Sequence, residues 1–295
     1  MVLTVTYAAA ILLVQPGLWL SDLWNFGVCG VMIGAIHLAT GRFKDKRTEL
    51  PAGPAAAAWL TALLLLWFGV LVAFMFAATT DWRPLLAAAY APLELGRRLN
   101  LPANVFQVYD SAVAMLPLTV LAVVLTLWRV RRHGPVGFYF GWRYWVLAVV
   151  LTALEAGLGV VRNEVFGVWQ DAGTFLPMSL WAVPIFLLQA MVNGLPEETL
   201  MRGYMFPQVY AFLRQPWIAL LLASVLFAAG HLPEYLIIYG MRPWWHVALE
   251  IVFSPSLGLQ GLVFGYLFWR SRSLVPGIFL HTYITVFTAA SPFMW

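Results

Sequence analysis

An all-α, polytopic bundle of eight to nine transmembrane helices is predicted by three properties of this 295-residue chain. Apolar residues make up 62% of it and charged residues only 10%, whereas soluble proteins average roughly a half and a quarter. Mean hydropathy is correspondingly high, at +0.82. Apolar runs near the ~20 residues that a helix needs to cross a bilayer recur along the chain. No soluble domain fits between them, and residues 1–295 are read as a single membrane domain.

The runs fall near 3–20, 24–40, 55–78, 111–128, 144–162, 178–212, 217–232, 246–268 and 275–291. The first lacks a basic leader and a small-residue cleavage pattern, so it reads as a retained span rather than a signal peptide. Gln15, Pro16 and Gly17, together with the short break at Ser21, Asp22 and Leu23, suggest that the first two spans form a kinked or partly re-entrant pair. The connection 79–110 mixes apolar residues with Arg83, Glu94, Arg97 and Arg98, as an interfacial amphipathic helix would. Without an internal repeat, an inverted-repeat transporter architecture finds no support.

Charge and cysteine content narrow the function classes. Cys29 is the sole cysteine, which rules out an intrachain disulfide or a cysteine metal site. The net charge of +4 comes from loop residues rather than a basic face with interleaved aromatics, so nucleic acid is not an expected partner. With nine spans and the amino terminus inside, the loops near 41–50, 129–143, 202–214 and 270–273 hold 12 of the 17 basic residues. By the positive-inside rule that side is cytoplasmic, in a multi-pass protein of the cell (inner) membrane.

The charges left inside the spans are the functional candidates, because an ionised side chain in lipid is costly. Glu197 and Glu198 sit in the middle of 178–212, and Arg202 follows Glu198 at the i,i+4 spacing of an ion pair. Glu197 is about 100° further round an ideal helix. Arg202 can therefore neutralise one carboxylate and leave the other for chemistry. If Arg214, Gln215 and Pro216 make a hairpin turn, Glu197 and His231 lie roughly 27 and 22 Å from it, at similar depth. His281 lies in the last span. Gly258, Gly261 and Gly265 precede it, and the G-x-x-x-G of the last two permits close helix approach toward the hairpin. Glu155 and Glu250 could be supporting partners or ion-pathway residues, and His37 has no carboxylate with it.

Glu197-Glu198-x-x-x-Arg202, Phe227-x-x-x-His231 and the block of Gly261, Gly265, Ser273, Leu274, Pro276 and His281 together resemble the CPBP family of intramembrane endopeptidases. That family includes the CAAX prenyl proteases and bacterial proteins linked to bacteriocin self-immunity. The matching stretch makes residues 176–291 the expected catalytic core, with 1–175 as spans outside the resemblance. The resemblance implies that Glu197 activates a water, that His231 helps hold or activate it, that Glu198 and Arg202 shape the site, and that His281 stabilises the oxyanion. The implied substrate is a membrane-associated or lipid-anchored protein or peptide, met among membrane lipids.

One position departs from the family pattern. Thr285 stands where an asparagine or aspartate usually follows the histidine by four residues. Threonine offers one donor in place of the amide's two. Either Thr285 substitutes weakly, another group such as Asn193 moves in, or the protein is catalytically impaired. Glu197, His231 and His281 could alternatively supply three ligands of a hydrolytic zinc site with an open fourth position. The competing functions are a noncatalytic membrane scaffold or chaperone of the same fold and, third, a proton-coupled transporter using Glu155, Glu197 and Glu250.

Overall fold

The computed structural model describes residues 19–41, 120, 124, 137–166, 186–187, 189–231 and 255–290. The expected span 55–78, nearly all of 3–20 and 111–128, and residue Glu250 lie outside them. Among the described residues the structure is helical, with no strand. Its helices are α1 (Trp19–Thr40), α2 (Trp142–Phe166), α3 (189–213), α4 (Pro216–Gly230), α5 (Pro255–Ser271) and α6 (Val275–Ala290). One stretch, Trp142–Arg162 in α2, is long and apolar enough to cross a membrane, and Trp24–Thr40, Pro216–Gly230 and Val275–Val286 are shorter apolar helices. Trp142, Val146, Val149, Val150 and Val160 of α2 are exposed, the apolar outer face that lipid favours and water does not.

Helix α3 is not a uniform α-helix. It runs as π-helix over Ala190–Gly194, α-helix over Leu195–Glu198, π-helix over Thr199–Met205 and α-helix again over Phe206–Leu213. Prolines account for both distortions. A proline inside a helix lacks the N–H for the i−4 carbonyl and its ring collides with that carbonyl. Pro196 and Pro207 each follow a π stretch by two residues, where the wider turn relieves the clash. The Leu195 N–H reaches back five residues to the Ala190 carbonyl.

The chain divides into two compact units, Met1–Arg83 with Met205–Arg270 and Pro84–Tyr204 with Ser271–Trp295. In the first unit, α3 ends at Arg214, whose left-handed backbone (φ 54°) caps it, and α4 starts at Pro216. Phe206–Leu213 then packs against α4 as a hairpin. Helix α5 docks on α4 through its glycines. A Cβ on Gly261 would lie 3.1 Å from the Ser224 Cα, and one on Gly265 would lie 2.9 Å from Leu220 Cδ2. Helix α1 is tied to α5 by His37 Nδ1 and the Tyr266 hydroxyl at 2.9 Å, and by Arg270 Nε donating to Thr40 Oγ1 at 3.1 Å.

In the second unit α6 packs along α2 and against the first π stretch of α3. Phe279 fills the seam, edge-on to Trp145 and tilted against Phe186 with centroids 6.4 and 4.9 Å away. The start of α6 is fixed by Ser273, whose hydroxyl accepts from the Val275 N–H and donates to the Tyr139 carbonyl. The Leu274 N–H donates to the Gly137 carbonyl at 2.6 Å.

The α4 and α5 packing generates a stability prediction. Gly261→Val forces side-chain atoms onto the Ser224 backbone and should cost about 1–3 kcal/mol. Gly157→Ala on α2, where a Cβ meets nothing within 4 Å, should be stabilising by up to ~1 kcal/mol. Thermal unfolding of the purified variants in detergent checks both, and equal melting temperatures for the two would contradict the packing.

Candidate active site

Glu197 and Glu198 occupy the short α-helical turn between the two π stretches of α3, and Arg202 lies in the second stretch. All three are buried, at 7%, 1% and 3% exposure. The i,i+4 pair forms: Arg202 Nη1 donates to Glu198 Oε1 at 3.0 Å. His281 comes from the middle of α6, 5% exposed, and its ring meets both carboxylates. Nδ1 is 2.9 Å from Glu198 Oε1 and Nε2 is 3.7 Å from Glu197 Oε2. Glu198 Oε1 thus takes a hydrogen bond from Arg202 and a second from His281. Because an ionised carboxylate only accepts, Nδ1 carries the proton and Nε2 is the nitrogen turned to Glu197.

Two glycines make this approach feasible. A Cβ on Gly277, one turn before His281, would stand 3.0 Å from Glu198 Oε2. One on Gly194 would overlap the Thr282 hydroxyl and lie 3.0 Å from the Ile278 carbonyl oxygen. The carboxylate of Glu198 rests over Gly277, and the backbone at Gly194 lies directly on α6. Neither glycine was singled out from sequence, although Asn193-Gly194-Leu195-Pro196 before the glutamates and Pro276-Gly277 before the histidine were the available signal. The mid-helix prolines were likewise the readable sign of the π turns.

Thr285 lies one turn beyond His281, and its hydroxyl donates to the His281 carbonyl at 3.0 Å. The one hydroxyl hydrogen therefore stays within α6. Asn193, one turn before Glu197, is 6% exposed, and its Nδ2 donates to Gln189 Oε1. Glu155 on α2 lies within electrostatic reach of Arg162 and of Tyr283 on α6.

His231 belongs to the other unit, where it closes the carboxyl end of α4. Its Nδ1 is 3.0 Å from the Phe227 carbonyl oxygen and its ring is edge-on to Phe227 at 4.9 Å. A carbonyl can only accept, so Nδ1 donates, and the neutral ring carries its lone pair on Nε2. Phe227 is itself pinned between Gly261 and Phe264. The Phe227-x-x-x-His231 motif is therefore a device for holding one imidazole tautomer.

Among the described residues no group of three or more His, Cys, Asp or Glu is placed to hold a metal ion.

Breaking a buried pair strands a charge and typically costs ~3–5 kcal/mol, whereas exchanging both partners for apolar groups is often nearly neutral. Arg202→Met should therefore destabilise strongly, and Glu198→Leu/Arg202→Met should recover much of the loss. Denaturant unfolding in detergent measures the cycle. Additive losses would show that the pair is not coupled.

Residues 179–287 match the family described as Type II CAAX prenyl endopeptidase Rce1-like. No curated protein and no solved structure matches the chain. The matched stretch contains every one of the motif residues above, from Glu197 to Thr285, and it supports the resemblance drawn from them. Over residues 179–287, a little over a third of its length, the chain is thus similar to the Rce1-like CAAX prenyl endopeptidases.

Proposed function

We propose that this chain hydrolyses a peptide bond of a membrane-associated or lipid-anchored protein or peptide, with Glu197 activating the water. The observation that supports it most is the unequal treatment of the two carboxylates. Glu198 is held by both Arg202 and His281, while Glu197 faces His281 Nε2 across 3.7 Å.

A count of charges gives each group its role. A buried ionic set is tolerated when its charges balance. Arg202 and a protonated His281 together balance ionised Glu197 and Glu198. In that state Glu197 can act as a base and His281 Nε2–H as a donor. Glu197 takes one proton from a water as the water oxygen bonds to the scissile carbonyl carbon. His281 Nε2–H then donates to the oxyanion that develops, the kind of fixed electrostatic support that contributes most to such reactions. Collapse breaks the C–N bond, and the proton held by Glu197 passes to the leaving nitrogen, giving a carboxylic acid and an amine.

The fuller architecture belongs to the same reading. Residues 176–291 act as the catalytic core of an eight- to nine-span protein of the cell membrane, and residues 1–175 complete the bundle. A prenylated carboxy-terminal tail is the substrate class to test first, because the matched family is described by it. A noncatalytic scaffold or chaperone is the second reading, favoured by the inward turn of the Thr285 hydroxyl.

Purified protein should cleave a farnesylated tail peptide. Glu197→Gln should lower kcat roughly a hundredfold to ten-thousandfold, the usual weight of general acid–base help, with the melting temperature preserved. A wild-type rate indistinguishable from that of Glu197→Gln would favour the scaffold.

A further inference from the structure

We infer that the Asn193 side-chain oxygen is the second acceptor for the attacking water, a step that rests on Glu197 being the base. Asn193 lies in the first π stretch of α3, one turn before Glu197 and on the same side of the helix. Its side chain is 6% exposed. The amide is held by one end only. Nδ2 donates to Gln189 Oε1, and Gln189 is itself completely buried. The other end, Oδ1, is buried and has no hydrogen-bond partner among the described residues.

An acceptor buried without a protein partner is destabilising, so such a group marks a place where a donor is meant to arrive. The neighbouring backbone is well fixed: Gly194 rests on Thr282 and Ile278 of α6, the helix that carries His281. Asn193 is thereby held near the carboxylates by the same helix contact that brings His281 to them.

The chemistry specifies which donor suits it. A water attacking a carbonyl must aim a lone pair at carbon, and so must give both hydrogens to acceptors behind it. Glu197 takes the hydrogen that is transferred. Asn193 Oδ1, one turn away, receives the hydrogen that remains on oxygen through the addition. An oxyanion is not a suitable occupant, because Gln189 holds the amide by its nitrogen and leaves the oxygen, which would repel negative charge. Nor does Thr285 compete for the water as a donor, since its hydroxyl hydrogen goes to the His281 carbonyl. Asn193 would then be a catalytic residue, through contact with the reacting water.

Steady-state cleavage of a farnesylated tail peptide by the full chain tests this. Asn193→Leu removes both polar ends at nearly constant volume, and Asn193→Ala serves if leucine impairs folding. The expected result is a kcat lowered roughly a hundredfold, the order lost when a reactant is misplaced by an ångström, with KM within twofold and no recovery on adding Thr285→Asn. Unchanged kcat in a folded variant, with Glu197→Gln inactive, would overturn the role of Asn193 and leave the base in place. A raised KM at constant kcat would make Asn193 a substrate-binding group instead. Recovery of Asn193→Leu by Thr285→Asn would make it an oxyanion donor. Wild-type activity in Glu197→Gln would overturn the reading on which all of this rests.

Discussion

One oxygen atom organises the buried polar centre of this protein. Glu198 Oε1 accepts from Arg202 on its own helix and from His281 on α6, and both bonds lie inside apolar surroundings where neither partner could remain charged alone. The other features follow from making that junction feasible. Gly277 leaves room for the carboxylate, Gly194 lets α3 rest on α6, and the π turns on either side rotate the glutamates within a helix that two prolines interrupt. Glu197 gains its distinct environment as a result, since the ring that binds Glu198 by Nδ1 can offer Glu197 only Nε2.

On the proposed reading, a division of labour accounts for a costly pair of buried acids. A single glutamate beside a histidine would have to serve as base and counter-charge at once. On the proposed reading Glu198 binds Arg202 and His281, and Glu197 is the acid that exchanges protons. The first π turn carries Asn193 and the second carries Arg202, so on that reading the distorted segments hold working residues. This accords with the frequent occurrence of π distortions at functional sites.

Local features of this arrangement were legible in the sequence, and those that depend on tertiary contact were not. The apolar composition specified a membrane helical protein. The i,i+4 spacing specified the Glu198–Arg202 pair, and Arg214-Gln215-Pro216 marked the break between α3 and α4. Gly261 and Gly265 indicated close packing, and they do bring α5 onto α4. His281 was expected to act on an oxyanion, yet its simultaneous reach to both carboxylates depends on α6 crossing α3 at Gly194, a contact with no local signature. The direction of the Thr285 hydroxyl is of the same kind, because a threonine in a helix can turn outward or bond the carbonyl one turn back. The run 178–212 reads as one uniform helix by hydropathy alone, which does not register the proline-driven π turns.

The protonation pattern of the His281 ring is the most direct test of the junction at Glu198. Nitrogen NMR of histidine-labelled protein, assigned by the signals lost in His281→Asn, reports which ring nitrogen bears hydrogen. A proton on Nδ1, hydrogen-bonded and displaced by Glu198→Leu, is the predicted result. A His281 ring with a bare Nδ1 and its hydrogen on Nε2, unaffected by Glu198→Leu, would contradict the account.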